Sequence, residues 1–229
     1  LAPNELVRAV LAAPVDLLYN GGIGTYVKAS GESHAAVGDR ANDSTRIDAS
    51  ALRCKVVVEG GNLGFTQRGR IEFALAGGII NTDAIDNAGG VDCSDHEVNI
   101  KILLGDALAR GELAADARNA LLAEMTDEVA ELVLRDNRAQ NRALALERSR
   151  GIANLDVQMR FMRYLVAAGR LDRVLENLPS DATIDERRAA NVGLVTPELA
   201  VLLAYNKMAL HDEVLASDLP DDALLAEGG

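Results

Sequence analysis

Residues 55–58, Lys-Val-Val-Val, run straight into Glu59-Gly60-Gly61-Asn62. A continuous β-branched run closed by a glycine turn suits a strand covered on both faces, the setting of a parallel sheet. Parallel neighbours need crossover connections, and the flanking segments read as such. Residues 15–19 predict a short buried strand that ends in the glycine-rich loop 20–24, and residues 79–81 a further short strand. Helices are expected over 4–13, with Asn4 as cap after Pro3, over 49–52 behind Asp48, and from a Thr66 cap through about 75. Residues 28–47 are polar and read as an irregular surface excursion. The order helix, strand, loop, helix, strand, helix, strand is that of an α/β fold.

The pattern changes after Gly90. Residues 92–110 read as one long helix with Val98, Ile102, Leu103 and Ala107 on its apolar face. Helical patterns continue over 114–134, 138–150, 155–168, 171–177, 183–192 and 196–215, with Pro197 well placed in a first turn after Thr196. The chain is therefore expected to divide into an α/β part, residues 1–91, and an all-helical part, residues 92–229. It opens on Leu1, inside a helical pattern, and reads as a piece of something longer.

Charge excludes one class of partner. Residues 1–91 carry ten acidic and eight basic side chains, and the remainder twenty-five and fifteen, for a formal net charge of −12. Nucleic acid is not expected, because phosphate binding needs a basic surface. Two cysteines, Cys54 and Cys93, are too few for a disulfide framework and lack zinc-ligand spacing, which points to the cytosol. No apolar run approaches a membrane span, and no metal-ligating set is expected.

Three glycine-rich segments, 20–24, 60–64 and 87–91, each follow a predicted strand. Ligands of open α/β sheets lie across the carboxyl ends of the strands, so three such loops in register would line one cleft. Each alone reads as readily as a structural turn. The third, in Asp83–Glu97, is the richest. Asn87 offers a donor and an acceptor, Gly89-Gly90 a sharp turn, and Ser94 a hydroxyl. A helix starting just after the glycines would favour an anion at its free N–H groups. Asp83 and Asp86 either flank the cleft or act as caps. Cys93 is expected as a buried thiol near it. Ser94, Asp95 and His96 would point in three directions on a helix, which argues against a nucleophilic triad. The dinucleotide fingerprint G-x-G-x-x-G is missing, and neither Lys28 nor Lys55 has the setting of a catalytic base.

At these residues the chain resembles a known family. Val56–Asn62 with Thr66, and Asn87, Gly89, Gly90, Val91, Ser94 and Glu97 in identity and spacing, are similar to segments of the glutamate dehydrogenases. The strings YNGGIGTYVKAS, VGDRAND, GNLGFTQRGRIEFALAGG, DCSDHEVNIKILL and TPELAVLLAYNK resemble the large NAD-specific bacterial subclass. Position 61 is Gly where smaller members have Ala, and Thr82 stands where Pro is usual. The resemblance implies a partial Rossmann-like parallel sheet followed by an all-helical region, and an oxidoreductase that converts L-glutamate to 2-oxoglutarate and ammonium with NAD. It further implies a cytoplasmic homo-oligomer. It makes Asn20, Gly21, Glu59, Gly60, Asn62 and Asn87 cofactor-binding, and Asn87, Val91 and Ser94 substrate-binding. The family's catalytic lysine and aspartate map upstream of Leu1, so no catalytic residue is assigned. A rival reading is a non-catalytic assembly or regulatory module with a degenerate α/β half. It predicts the missing fingerprint and base, but not the retained Asn87, Gly89, Gly90 and Ser94.

Overall fold

The computed structural model describes residues 2–222. The chain divides into two compact units, residues 1–143 and 144–229. This division follows compactness, whereas the change from α/β to helix falls near Ala88.

In the first unit, helix α1 (Pro3–Leu11) leads into strand β1 (Leu17–Asn20). Strand β1 pairs in parallel with a later strand, Val56–Glu59, in the register Leu17↔Val56 to Asn20↔Glu59. The expected third strand, 79–81, is reduced to one parallel bridge, Val56↔Ile79, because the chain turns at Thr82 into helix.

The excursion 28–47 departs from its expected irregular surface character. It contains strand β2 (Val27–Lys28), the short helix α2 (His34–Val37) and strand β3 (Ile47–Asp48), with β2 and β3 paired in parallel. The strand Val56–Glu59 is then β4. Charges in this segment are neutralised internally. Lys28 is buried against Asp48, and the buried Arg46 guanidinium donates to the Thr25 carbonyl at 2.8 Å and to Asp43 at 2.6 Å. Val27 and Ile47 join Val57, Phe65, Phe73 and Ile80 in the core of this unit.

Helix α3 (Gln67–Leu75) starts as expected at Thr66, whose hydroxyl accepts from the Gly69 N–H at 2.9 Å. A single turn, α4 (Asp83–Asp86), passes through Asn87 into α5 (Ala88–Ala109), followed by α6 (Ala115–Glu124) and α7 (Thr126–Arg150). Gly89 and Gly90 therefore lie in the first turn of α5, and the expected third glycine loop is the start of a helix.

The second unit has helices and turns and no strand among its described residues: the end of α7, then α8 (Leu155–Ala167), α9 (Asp181–Ala189) and α10 (Thr196–Leu215). Residues 171–177 form turns rather than the expected helix, with Asp172 Oδ1 accepting from the Val174 and Leu175 N–H groups. Leu155, Met162, Leu165, Ile184 and Leu199 are buried. Glu198, 1% exposed, accepts from both terminal nitrogens of Arg187 at 2.6 and 2.8 Å, which ties α9 to the start of α10. Among the described residues no helix is long and apolar enough to cross a membrane.

Asp181, at the start of α9, collects Arg173 at 2.6 Å and Arg163 at 2.7 Å, and these hydrogen bonds hold its carboxyl below the usual 3.8. A lowered folded-state value contributes stability that is present above the ordinary carboxylate range and is lost as pH falls through the folded value. Asp181→Asn should flatten the acid limb of stability against pH below about 4. A pH series of urea midpoints that superimposes on wild type would remove this role.

Candidate functional site

Strands β1 and β4 run parallel, so Asn20 and Glu59 end at the same edge of the sheet. The loops beyond them touch. The Asn20 carbonyl accepts from the N–H groups of Gly60 at 2.9 Å and Gly61 at 3.1 Å. A Cβ on Gly61 would stand 2.6 Å from the Gly22 carbonyl oxygen, inside any real contact, so position 61 must be glycine for the loops to meet this closely. Asn20 Oδ1 accepts from the Gly22 N–H at 3.4 Å, and its Nδ2 is closed to solvent without a hydrogen-bond partner. A buried donor left unpaired costs about 1–3 kcal/mol, and this one lies under Gly64, where a Cβ would stand 1.9 Å from it.

The α4–α5 junction completes the edge. Asn87, at the start of α5, makes no side-chain cap and instead donates from Nδ2 to Asn62 Oδ1 at 2.7 Å. Gly90 gives that side chain room, since a Cβ there would lie 3.1 Å from Asn87 Oδ1. Asn20, Gly21, Gly60, Asn62 and Asn87 thus gather at the carboxyl ends of the sheet. Val91 and Ser94 are exposed farther along α5, at spacings of four and seven residues from Asn87, which puts all three on one helical stripe.

Glu59 belongs to this edge by its backbone alone. Its side chain is fully buried, with Oε2 accepting from Arg70 Nε at 2.6 Å and Oε1 from Arg70 at 2.9 Å and the Phe65 N–H at 3.1 Å. Arg70 also meets Asp83 at 3.1 Å, and Asp86 accepts from the Glu59 N–H at 3.0 Å and from Asn81 at 2.7 Å. Burial pushes the Glu59 carboxyl up, against the hydrogen bonds and charge of Arg70. Burial likewise raises Asp86, against its bonds from Asn81 and Glu59. Asn137 of α7 donates to the Ile85 carbonyl at 2.8 Å, and Asn141 accepts from Asn81 at 3.0 Å, so α7 braces α4.

Sequence reasoning did not single out Arg70, Asn137 or Asn141. The one available sign was a pair of arginines, Arg68 and Arg70, in the first turn of a helix that follows a buried strand ending in Glu. Cys93 is exposed rather than buried, and Cys54 is the buried thiol. His96 shares α5 with Ser94 and Asp95 but pairs with Asp92, 3.6 Å away. Asp136 lies close enough for all three ligand atoms to fall within 4.8 Å of one another. All three are partly exposed, Asp92 and His96 being one turn apart on α5 and Asp136 standing on α7.

Residues 1–147 match the family model described as bacterial NAD-glutamate dehydrogenase, catalytic domain. The chain belongs to this family. A second glutamate dehydrogenase model, for the C-terminal region, matches residues 191–228. Among curated NAD-specific glutamate dehydrogenases, that of Halomonas elongata is 57% identical over 97% of the chain. Those of Mycobacterium tuberculosis and Pseudomonas aeruginosa are 55% identical over 99% and 56% over 98%. The chain spans 14% of the length of each of these relatives.

Proposed function

We propose that this chain is one segment of an NAD-dependent enzyme that oxidatively deaminates L-glutamate to 2-oxoglutarate and ammonium. In this reading residues 1–91 are the second half of its dinucleotide-binding domain, and residues 92–229 belong to its helical C-terminal region. The observation that carries the proposal is the Asn62–Asn87 hydrogen bond at the carboxyl edge of a parallel sheet, beside loops whose glycines bring backbone close. That donor set fits a flat amide-bearing ring and its ribose. Asn20, Gly21, Gly60, Asn62, Asn87 and the Glu59 backbone would hold NAD, which when bound supplies the hydride acceptor. Asn87 would also meet the substrate, with Val91 and Ser94 lining the side-chain pocket. The chain contributes the nicotinamide and substrate side of the cleft and is inactive alone; the base is supplied from elsewhere in the longer protein. The protein is proposed to work in the cytoplasm, as a homo-oligomer. Free Cys54 and Cys93 suit that reducing compartment.

Ser94 is the specificity element of this proposal. A hydroxyl facing the distal carboxylate selects a dicarboxylate, because an apolar side chain would leave it unpaired. A hydrogen bond to a charged group contributes about 1.5–3 kcal/mol. In the full-length enzyme Ser94→Ala should therefore raise the KM for glutamate about tenfold to a hundredfold, with little change in kcat. An unchanged KM would remove Ser94 from the pocket.

A further inference from the structure

We infer that Arg70 is a positioning residue for the Asn62–Asn87 pair, an inference that rests on the proposed dehydrogenase site. Arg70 sits on α3, 4% exposed, and touches neither asparagine in any described contact. It acts through two carboxylates. Glu59 ends β4, and Asp83 begins α4. Each of these anions also holds a backbone N–H of the loop between them: Glu59 accepts from Phe65 at 3.1 Å and Asp83 from Leu63 at 2.8 Å. Leu63 has a φ of 60°, in the left-handed region that a branched side chain adopts only at a cost. Its N–H is fixed by Asp83, and Asn62 is the residue immediately before it. On the other side Asn87 follows Asp86, the last residue of the turn that Asp83 opens, and Asp86 is bound to the Glu59 N–H. One guanidinium therefore sets both ends of the 2.7 Å bond between Asn62 and Asn87.

The chemistry needs arginine. Two carboxylates in different directions call for a planar fork with several fixed donors, and the single ammonium of lysine cannot reproduce both contacts. Stability alone does not explain the choice, because apolar packing of similar volume often stabilises as well as a buried ion pair. A buried charge network does fix geometry, and this one is placed where geometry matters.

The test uses the full-length enzyme and a double-mutant cycle. Arg70→Lys should lower kcat/KM for glutamate about a hundredfold, the scale of a misplacement of roughly 1 Å at a reacting centre. Asn87→Ala should lower it at least as much. If Arg70 acts through Asn87, the double variant should be no worse than Asn87→Ala alone, a coupling that a merely structural arginine would not show. Losses that multiply, or wild-type kinetics in Arg70→Lys, would overturn the inference. Wild-type kinetics in Asn87→Ala would instead overturn the dehydrogenase site itself. Should Arg70→Lys fail to fold, Asp83→Ala carries the cycle. It removes the Leu63 brace and one arm of the fork while keeping the Glu59–Arg70 pair. It should show the same non-additivity with Asn87→Ala, and multiplicative losses there would overturn the inference equally.

Discussion

In the proposed full-length dehydrogenase, Asn87→Ala should reduce kcat/KM for glutamate by about a hundredfold to a thousandfold, the range seen when one preorganised hydrogen-bond donor is removed from an active site. Stability should change by only about 1 kcal/mol, because the variant loses a single hydrogen bond at a half-buried position. That contrast separates a functional amide from a structural one. Steady-state kinetics at saturating NAD, with a thermal melt alongside, decide it. A melt that drops sharply with kinetics intact would make Asn87 a structural cap, as the assembly-module reading expects.

The second large effect is on folding. Glu59→Ala leaves the Arg70 guanidinium buried with Asp83 as its remaining anionic partner and orphans the Phe65 N–H. Breaking a buried pair from one side costs about 3–5 kcal/mol, a large part of the 5–15 kcal/mol that holds a typical domain together. Hydrogen-exchange protection of the Val56–Val58 amides is the direct readout, since these pair with β1 and Ile79 in the sheet that Glu59 ends. Replacing both partners, Glu59→Leu with Arg70→Met, should recover part of the protection, because the buried guanidinium is gone while Asp83 loses its cation and the Phe65 N–H stays unpaired. Protection unchanged in Glu59→Ala would mean that Asp83 and water satisfy Arg70 alone.

Local signals in the sequence foreshadowed β4, α3 and α10. A valine run before a glycine pair leaves little but a buried strand, and Thr66 and Thr196-Pro197 mark helix starts. The segment 28–47 was opaque because its polarity is cancelled at a distance. Lys28 finds Asp48 twenty residues away and Arg46 finds the Thr25 carbonyl twenty-one away, while two-residue strands leave no periodicity to read. Gly89 and Gly90 misled for another reason. Each costs a helix about 1 kcal/mol by propensity, yet α5 runs through both, beside Val133 of α7, which lies 3.8 Å from where a Gly89 Cβ would stand. The edge formed by Asn20, Asn62 and Asn87 was visible as residues, and their motif spacing suggested a cleft. The ion network beneath it was not, because the eleven-position separation of Glu59 and Arg70 follows no regular period that would reveal a contact.

The glycine at position 61 has a consequence for how this family can change. Because a methyl group there would press on the Gly22 carbonyl, alanine becomes tolerable only after the loop 21–23 has already moved. The two positions are sterically coupled. Placing alanine at 61 alone in this chain should fail where exchanging both loops together succeeds.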